Sequence, residues 1–514
     1  MRKVFGYILA AAFLTLASCS KEQLAGEGSA LQSGEPRIIT LSFNPSTKTT
    51  PGGTEGRSPE FEDGDIIRLS NSTSWEERAV NVSDGVATVS TFLAGELKAV
   101  YPADAAATDA NGLITGIKVQ ASQSGRFRDA NICMTTIPAN ANSATLLNQT
   151  AVLRFYVDAS IGVKSVTVTS GGSNIANEGA HLKQIIVDPA GNELISSVTD
   201  DPDRRLCYVA VLPGANTNAL TFTSETTTQG TVVHKPLRTS VTLAANGMYN
   251  AFIPYYIKMK VNDSPETYQK WGYCNVGAFL PEDYGRYFAW GDTEGQIRNG
   301  SVWSGGGFNW EHYRFATEVT ATTAKFTKYV PDGHTDAAVS PDNKLVLDAE
   351  DDAAYMNWGE NWRIPTGGSA DFAEFTVLVK ACQPGYTTGE IALQQVASVP
   401  STRGAYYYNE TGKVPGVYFV DVAGNRLFFP AAGFVTNSDL IITEAAGPVI
   451  YCWSNTLNPD PGHSSSSSAH DFKFRNGKIG LPDASSRFHG FSVRAIYNTE
   501  KTADFNPYDD KGNI

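Results

Sequence analysis

Between Arg37 and Pro254, short apolar runs alternate with polar residues and are separated by Gly, Asn and Asp, and no stretch keeps a helical period for long. A period of two places successive side chains on opposite faces of a strand, so each run buries one face and needs a second sheet to cover it. Ile39, Leu41 and Phe43 open the pattern. Ile66 to Leu69 follow a turn at Asp63-Gly64, and Gly85 to Leu93 carry a β-branched run. A second cycle runs through Val152 to Val157, Val163 to Thr169, Leu206 to Leu212, Leu220 to Thr223 and Met248 to Ile253. Two β-sandwiches are predicted, residues 37–147 and 148–254. Ala99-Val100-Tyr101-Pro102 in the first and Ala210-Val211-Leu212-Pro213 in the second are similar phrases, which shared strand chemistry explains as well as a repeat does.

The character changes after Pro254, beyond which lie seven of the eight tryptophans. Two helices are predicted there. One spans Asp348 to Trp358 and opens on an acidic turn; the other spans Ser369 to Cys382, with Phe372, Phe375, Leu378, Val379 and Cys382 on one face and Ser369 as N-cap. A separate α+β domain over residues 255–498 follows, then a polar tail, 499–514. Ser464 to Ser468 reads as a solvated loop tip.

The N-terminus is read as an export signal over residues 1–18: Arg2 and Lys3 precede an apolar run too short to span a bilayer. Leu16-Ala17-Ser18-Cys19 resembles a bacterial lipobox, which implies acylation of Cys19, and Ser20 to Pro36 have the Gly/Ser-rich composition of a tether (residues 19–36). The expected location is the outer membrane, lipid-anchored and surface-exposed. Formal net charge is −13, with no basic stripe to meet phosphates, so no nucleic-acid partner is expected. Cys133, Cys207, Cys274, Cys382 and Cys452 are odd in number and widely spaced, which is neither a disulfide framework nor a zinc site; their pairing stays open.

The region from Arg37 to Pro254 resembles the fimbrillin-like proteins of Bacteroidetes in its early strand (Ile38 to Phe43), its Thr/Lys-rich turn (Ser46 to Thr50), and the phrases Phe61-Glu62-Asp63-Gly64-Asp65-Ile66 and Ala99-Val100-Tyr101-Pro102. The resemblance implies two β-sandwich modules in a surface lipoprotein. In pilus-forming members a protease cuts after an Arg in the loop behind the first strand, and a neighbour's strand fills the gap; Arg57, in a Gly/Pro/Thr-rich loop, matches that place. Lys501 to Ile514 are polar, contain Pro507 and show no alternation, which argues against a shaft subunit and for a tip subunit or a free-standing surface protein.

Lys270 to Tyr497 resemble the Fibrobacter succinogenes major paralogous domain. The phrases run in order: Cys274-Asn275-Val276-Gly277-Ala278, Tyr287-Phe288-Ala289-Trp290-Gly291-Asp292, Asn357-Trp358-Gly359, Trp362-Arg363-Ile364-Pro365, Phe429-Pro430-Ala431-Ala432-Gly433, Trp453-Ser454-Asn455 and Gly490-Phe491-Ser492-Val493-Arg494. This resemblance implies a relative of the C-type-lectin and formylglycine-generating-enzyme fold, with binding or adhesion outside the cell. The enzyme relatives use a copper-binding cysteine pair; here no thiol lies near a His in sequence, so no nucleophile and base are nominated and no cofactor is expected.

Asp348, Glu350, Asp351 and Asp352 could supply calcium oxygens, but their position at a helix start favours capping, and no metal is expected. The lectin calcium motif has no clean counterpart, since Trp453-Ser454-Asn455 departs from it. Aromatic rings beside amides or carboxylates make sugar platforms. The candidates are Trp303, Asn309, Trp310 and His312 around the Gly305 to Gly307 loop, and Tyr406, Tyr407, Tyr408 and Asn409, with packing an equal account of the rings. Trp290, Trp358, Trp362 and Trp453 are read as core. The expectation is therefore a mainly β, non-catalytic adhesin: two tandem fimbrillin-like sandwiches presenting a C-type-lectin-like domain to a glycan or a host or bacterial surface protein. The alternatives are a pilus tip or accessory subunit processed at Arg57, with fimbrial subunits as partners, and, less favoured, a formylglycine-generating-like enzyme.

Overall fold

The structure, a computed structural model, describes residues 35–44, 47–48, 60–120, 122–158, 161–171, 174–177, 182–186, 193–194, 204–234, 240–320, 323–368, 373–387, 389–444, 447–458 and 466–497. It is mainly β. Cys19, Arg57, the signal and tether, and the polar tail lie outside the described residues.

The first module is an eight-stranded sheet in the order Trp75–Ala79, Ile66–Ser70, Leu97–Tyr101, Cys133–Ile137, Ser143–Asn148, Arg37–Phe43, Val86–Thr91, Asn81–Ser83. Only two residue pairs, Cys133↔Asn148 and Met134↔Leu147, join its halves. The halves therefore diverge and close over one core, in which Ile39, Leu41, Val89 and Leu146 of one half meet Ile67, Leu69, Leu97 and Tyr101 of the other. Alternation along Arg37–Phe43 puts Ile39 and Leu41 inside and leaves Ile38, Thr40 and Ser42 outside. This strand is interior to the sheet, parallel to Ser143–Asn148 and antiparallel to Val86–Thr91.

In the second module Ala151–Asp158 is buried along its whole length. It pairs antiparallel with Arg204–Val211 and parallel with Gly247–Asn250, which in turn pairs with Thr47–Lys48. The segment after the first strand thus extends the second module's sheet. Leu182–Ile186, Val163–Ser170, Leu220–Thr226 and Gly230–His234 form the opposing sheet. The Gln123 side chain ties the modules together by imitating a strand partner: its Nε2 donates to Ala210 O at 2.7 Å and its Oε1 accepts from Ala210 N at 2.8 Å.

In the C-terminal region Tyr256–Asp263 and Glu266–Asn275 form a hairpin, and Arg494–Tyr497 returns to pair with it and with Trp362–Arg363, so the region closes on itself. Two four-stranded sheets complete it: Gly389–Ala392, Lys478–Ser486, Ser468–Arg475 and Ile450–Leu457; and Gln394–Val396, Gly404–Tyr408, Gly416–Val420 and Arg426–Pro430. Helix α1 is Ala353–Trp358 and helix α2 is Glu374–Cys382. No helix among the described residues is long and apolar enough to cross a membrane.

Both helices are shorter than the sequence pattern suggests. Ala349–Asp351 form a separate 3-10 turn, and Asp352 alone caps α1, accepting from Ala354 N and Tyr355 N. Ala373 precedes α2 without a side-chain cap; Thr366 Oγ1 accepts from Glu374 N at 3.2 Å instead, and Ser369 lies outside the described residues. The solvated-loop reading of Ser464 to Ser468 needs correction at its end, since Ser466 is fully buried and bonded to Asp336 through both N and Oγ and Ser468 begins a strand; Ser464 and Ser465 lie outside the described residues. All five described cysteines are buried free thiols.

The second module and the C-terminal region share one hydrophobic core. Tyr156 stacks on Tyr273 with centroids 4.6 Å apart, Phe252 meets Trp358 at 5.1 Å, and the Arg154 guanidinium lies over Phe279.

Candidate functional site: two clefts beside a glycine loop

The Gly305 to Gly307 run makes a close turn that a larger residue would block. Gly307 has φ +100°, and a Cβ there would lie 2.4 Å from Asn437 O. The turn is held from one side by Gln296, whose Oε1 accepts from Gly305 N and Gly307 N and whose Nε2 donates to Gly307 O. It is held from the other by the Phe434–Thr436/Asp439–Ile441 hairpin, through reciprocal bonds between Phe308 and Asn437. Behind it Asn309 caps the 3-10 turn Trp310–His312 by accepting from His312 N.

These elements frame an open cleft of 490 Å³ walled by Asp292, Glu294, Gln296, Asn309, His312 and Phe488. Burial raises the Asp292 carboxyl above its ordinary range, against the pull of Glu294 N and Gly295 N, which it accepts from. Glu294 and His312 are exposed at the rim. A second cleft of 950 Å³ adjoins the first and shares Asn309 and Phe488 with it; its walls include Glu311, Glu318, Lys325 and Asp336. Volumes of about 300–1,000 Å³ are those of small-molecule sites.

Asn309 and His312 stand where the sequence reading puts a site. Of the tryptophans, Trp310 is in the second cleft's wall although largely buried, and Trp303 lines neither cleft. Trp303 is buried against Tyr287 and Phe308 and donates from Nε1 to Ser438 O; Trp310 is buried beneath Phe488, with centroids 4.7 Å apart. A Gly-rich loop suggests exposure, but its tight turn folds the flanking rings inward. The aromatic that reaches the surface is Phe488, half-buried between the two clefts, and the sequence reading missed it. Its only signal is adjacency to the framework phrase beginning at Gly490. The tyrosine run lines neither cleft. Tyr408 is fully buried against Tyr418 and Phe428, Tyr406 and Tyr407 are half-buried, and Asn409 is exposed beyond the strand end.

The acidic run is the other correction. Asp348, Glu350 and Asp351 converge as metal ligands would, but the Lys328 ammonium lies among them at 2.6, 3.1 and 2.6 Å, with Arg314 3.1 Å from Asp351. They bind a cation of the chain's own, and only Asp352 caps the helix. Burial pushes the Asp352 carboxyl up to about 6 although it accepts from three backbone N–H groups.

Burial also pushes the Cys452 thiol up to about 12 and raises Cys274 and Cys382, while His470 and His489 are lowered to about 4. The clefts therefore offer amides, carboxylates, an imidazole and aromatic rings, of which Phe488 is the least buried. That is chemistry for recognition: directional donors and acceptors beside a small apolar platform.

No family model matches the chain, and no curated protein matches it. Solved structures similar to it include three from Bacteroides and Porphyromonas species. A candidate cell adhesion protein from Bacteroides uniformis is 13% identical with a TM-score of 0.25, covering 42% of this chain and 91% of its own. A fimbrial protein from Bacteroides ovatus is 11% identical with a TM-score of 0.21, covering 90% of this chain and 100% of its own. The tip fimbrial protein of Porphyromonas gingivalis, truncated at its C-terminus, is 8% identical with a TM-score of 0.19, covering 41% and 94%. At these TM-scores none of the three constrains the fold or the function of this chain.

Proposed function

We propose that this chain is a fimbrillin-type surface adhesin, anchored to the outer membrane by a lipid on Cys19, whose C-type-lectin-like C-terminal region binds a glycan. The open cleft behind the Gly305 to Gly307 turn carries the reading, because it combines preorganised polar groups with the half-buried ring of Phe488. Sugars offer hydroxyl groups to the former and C–H faces to the latter. The test is binding of the full chain to arrayed glycans and surface proteins, with His312→Ala as the site control. Glycan binding that His312→Ala weakens supports the reading; retention only on proteins, or on nothing, overturns it.

A second reading, a pilus tip or accessory subunit processed at Arg57, is favoured by one observation. The strand Arg37–Phe43 lies between two others, so its removal would leave an open slot in the sheet. Peptide mapping of protein from the cell surface separates the two: an acylated start at Cys19 belongs to the anchored adhesin, a start at Ser58 to the pilus subunit. A formylglycine-generating-like oxidase is disfavoured by the burial of Cys274, Cys382 and Cys452, whose raised pKa values keep them from the reactive thiolate form.

A further inference from the structure

From the two clefts and the ring between them we infer that the site takes an extended, linear glycan of neutral or cationic sugars, laid across Phe488 with units in both clefts; this rests on the glycan reading above. The clefts are not separate pockets. Asn309 and Phe488 belong to the walls of both, at 490 and 950 Å³, so a chain leaving one enters the other over the Phe488 ring. Trp310, itself in the second cleft's wall, packs edge-to-face against that ring and supports it as a ridge. A single sugar would touch one cleft or the ridge; only several linked units use all three.

The charges select the kind of sugar. In the first cleft Asp292 and Glu294 face one cation, Arg314, which is already engaged by Asp351 at 3.1 Å and Gly291 O at 2.9 Å. In the second, Glu311, Glu318 and Asp336 face Lys325, which pairs with Glu318 at 2.6 Å. Both cations are committed, and exposed carboxylates stand at each rim, Glu294 and Glu311. Carboxylates outnumber Arg and Lys in both walls, so a carboxylated or sulfated sugar would meet net repulsion, whereas neutral hydroxyls and amino groups find acceptors.

The test titrates the full chain, by calorimetry, with neutral β-linked gluco-oligosaccharides and chitosan oligosaccharides of two to six units, and with oligogalacturonides of the same lengths. Affinity in the neutral or amino series is expected to rise at least tenfold from two units to six. The uronic series is expected to bind at least tenfold more weakly. Thr323→Trp, at an exposed position on the second cleft's wall, is expected to bring the six-unit affinity down to that of two units, and Phe488→Ala to do the same if it folds. Affinity that does not change with length, or a six-unit ligand indifferent to Thr323→Trp, overturns the extended site and leaves the glycan reading standing. Equal or tighter uronic binding overturns the charge selection. No binding by any series overturns the inference, and the array then decides whether the glycan reading falls with it.

Discussion

Asp471 is buried, and burial raises its pKa to about 7 against the partial pull of the Ser485 hydroxyl and of Lys473. Its ordinary value is 3.8. Between those values the folded chain holds a proton that the unfolded chain has released, so this group lowers stability as pH rises through that window and costs nothing further above it. Asp471→Asn removes the titration. Its stability relative to the unmodified chain is expected to increase from about pH 4 to pH 7, with a limiting slope of about 1.4 kcal/mol per pH unit. Urea unfolding at several pH values reads this, and a pH-independent difference would refute it. Arg487 is a second costly residue, fully buried. It donates to Tyr313 Oη and to the carbonyls of Tyr329, Ser466 and Lys328, inside a ring of aromatic faces that includes Trp290 and Phe326. Arg487→Ala leaves those acceptors unpaired and opens a cavity, so a loss of about 3 kcal/mol or more is expected in the same measurement. Neither role is legible in sequence, because an Asp in an alternating strand, or an Arg in the turn after one, reads as outward-facing until the covering layer is known.

At the scale of elements, strands were legible and caps only in part: the acidic run does supply the cap of α1, but from Asp352 alone. Ile39 and Leu41 alternate and point inward as the period of two requires, whereas the acidic run before α1 serves two purposes that its spacing does not separate. Asp352 caps α1 and also accepts from Ile364 N at 2.8 Å, fastening the helix to the strand Trp362–Arg363. Asp352→Ala is expected to cost about 2–3 kcal/mol, more than an isolated cap, because two helix N–H groups and one loop N–H lose their acceptor. The neighbouring carboxylates hold Lys328, which belongs to a segment 20 residues earlier. Calcium or EDTA is therefore expected to leave the thermal midpoint unchanged, and a clear rise with calcium would show that the ion displaces the ammonium. The Gly305 to Gly307 turn was legible as a loop. What it does to Trp303 and Trp310 was not, because whether a ring beside a turn faces water or core depends on the hairpin behind it.

The whole molecule is less modular than its sequence suggests. Composition shifts at Pro254, yet residues on both sides of that point pack into one core across the Tyr156–Tyr273 stack. Removing that contact should be felt on both sides: Tyr156→Ala is expected to cost about 3 kcal/mol and to speed amide hydrogen exchange in Glu266–Asn275 as well as in Ala151–Asp158. Exchange confined to the second module would mean that the two parts unfold independently. By itself the sequence determined the mainly β architecture, since alternation and turn residues are local and each strand's inward face follows from its own spacing. It also placed Asn309 and His312 beside a turn that only glycine can make. The tertiary structure alone decided that Lys328 fills the acidic cluster, that Trp303 and Trp310 are buried while the Phe488 ring is only half so, and that two clefts meet across it. Those outcomes depend on which distant segments cover a side chain, and burial by a distant segment leaves no mark on local spacing.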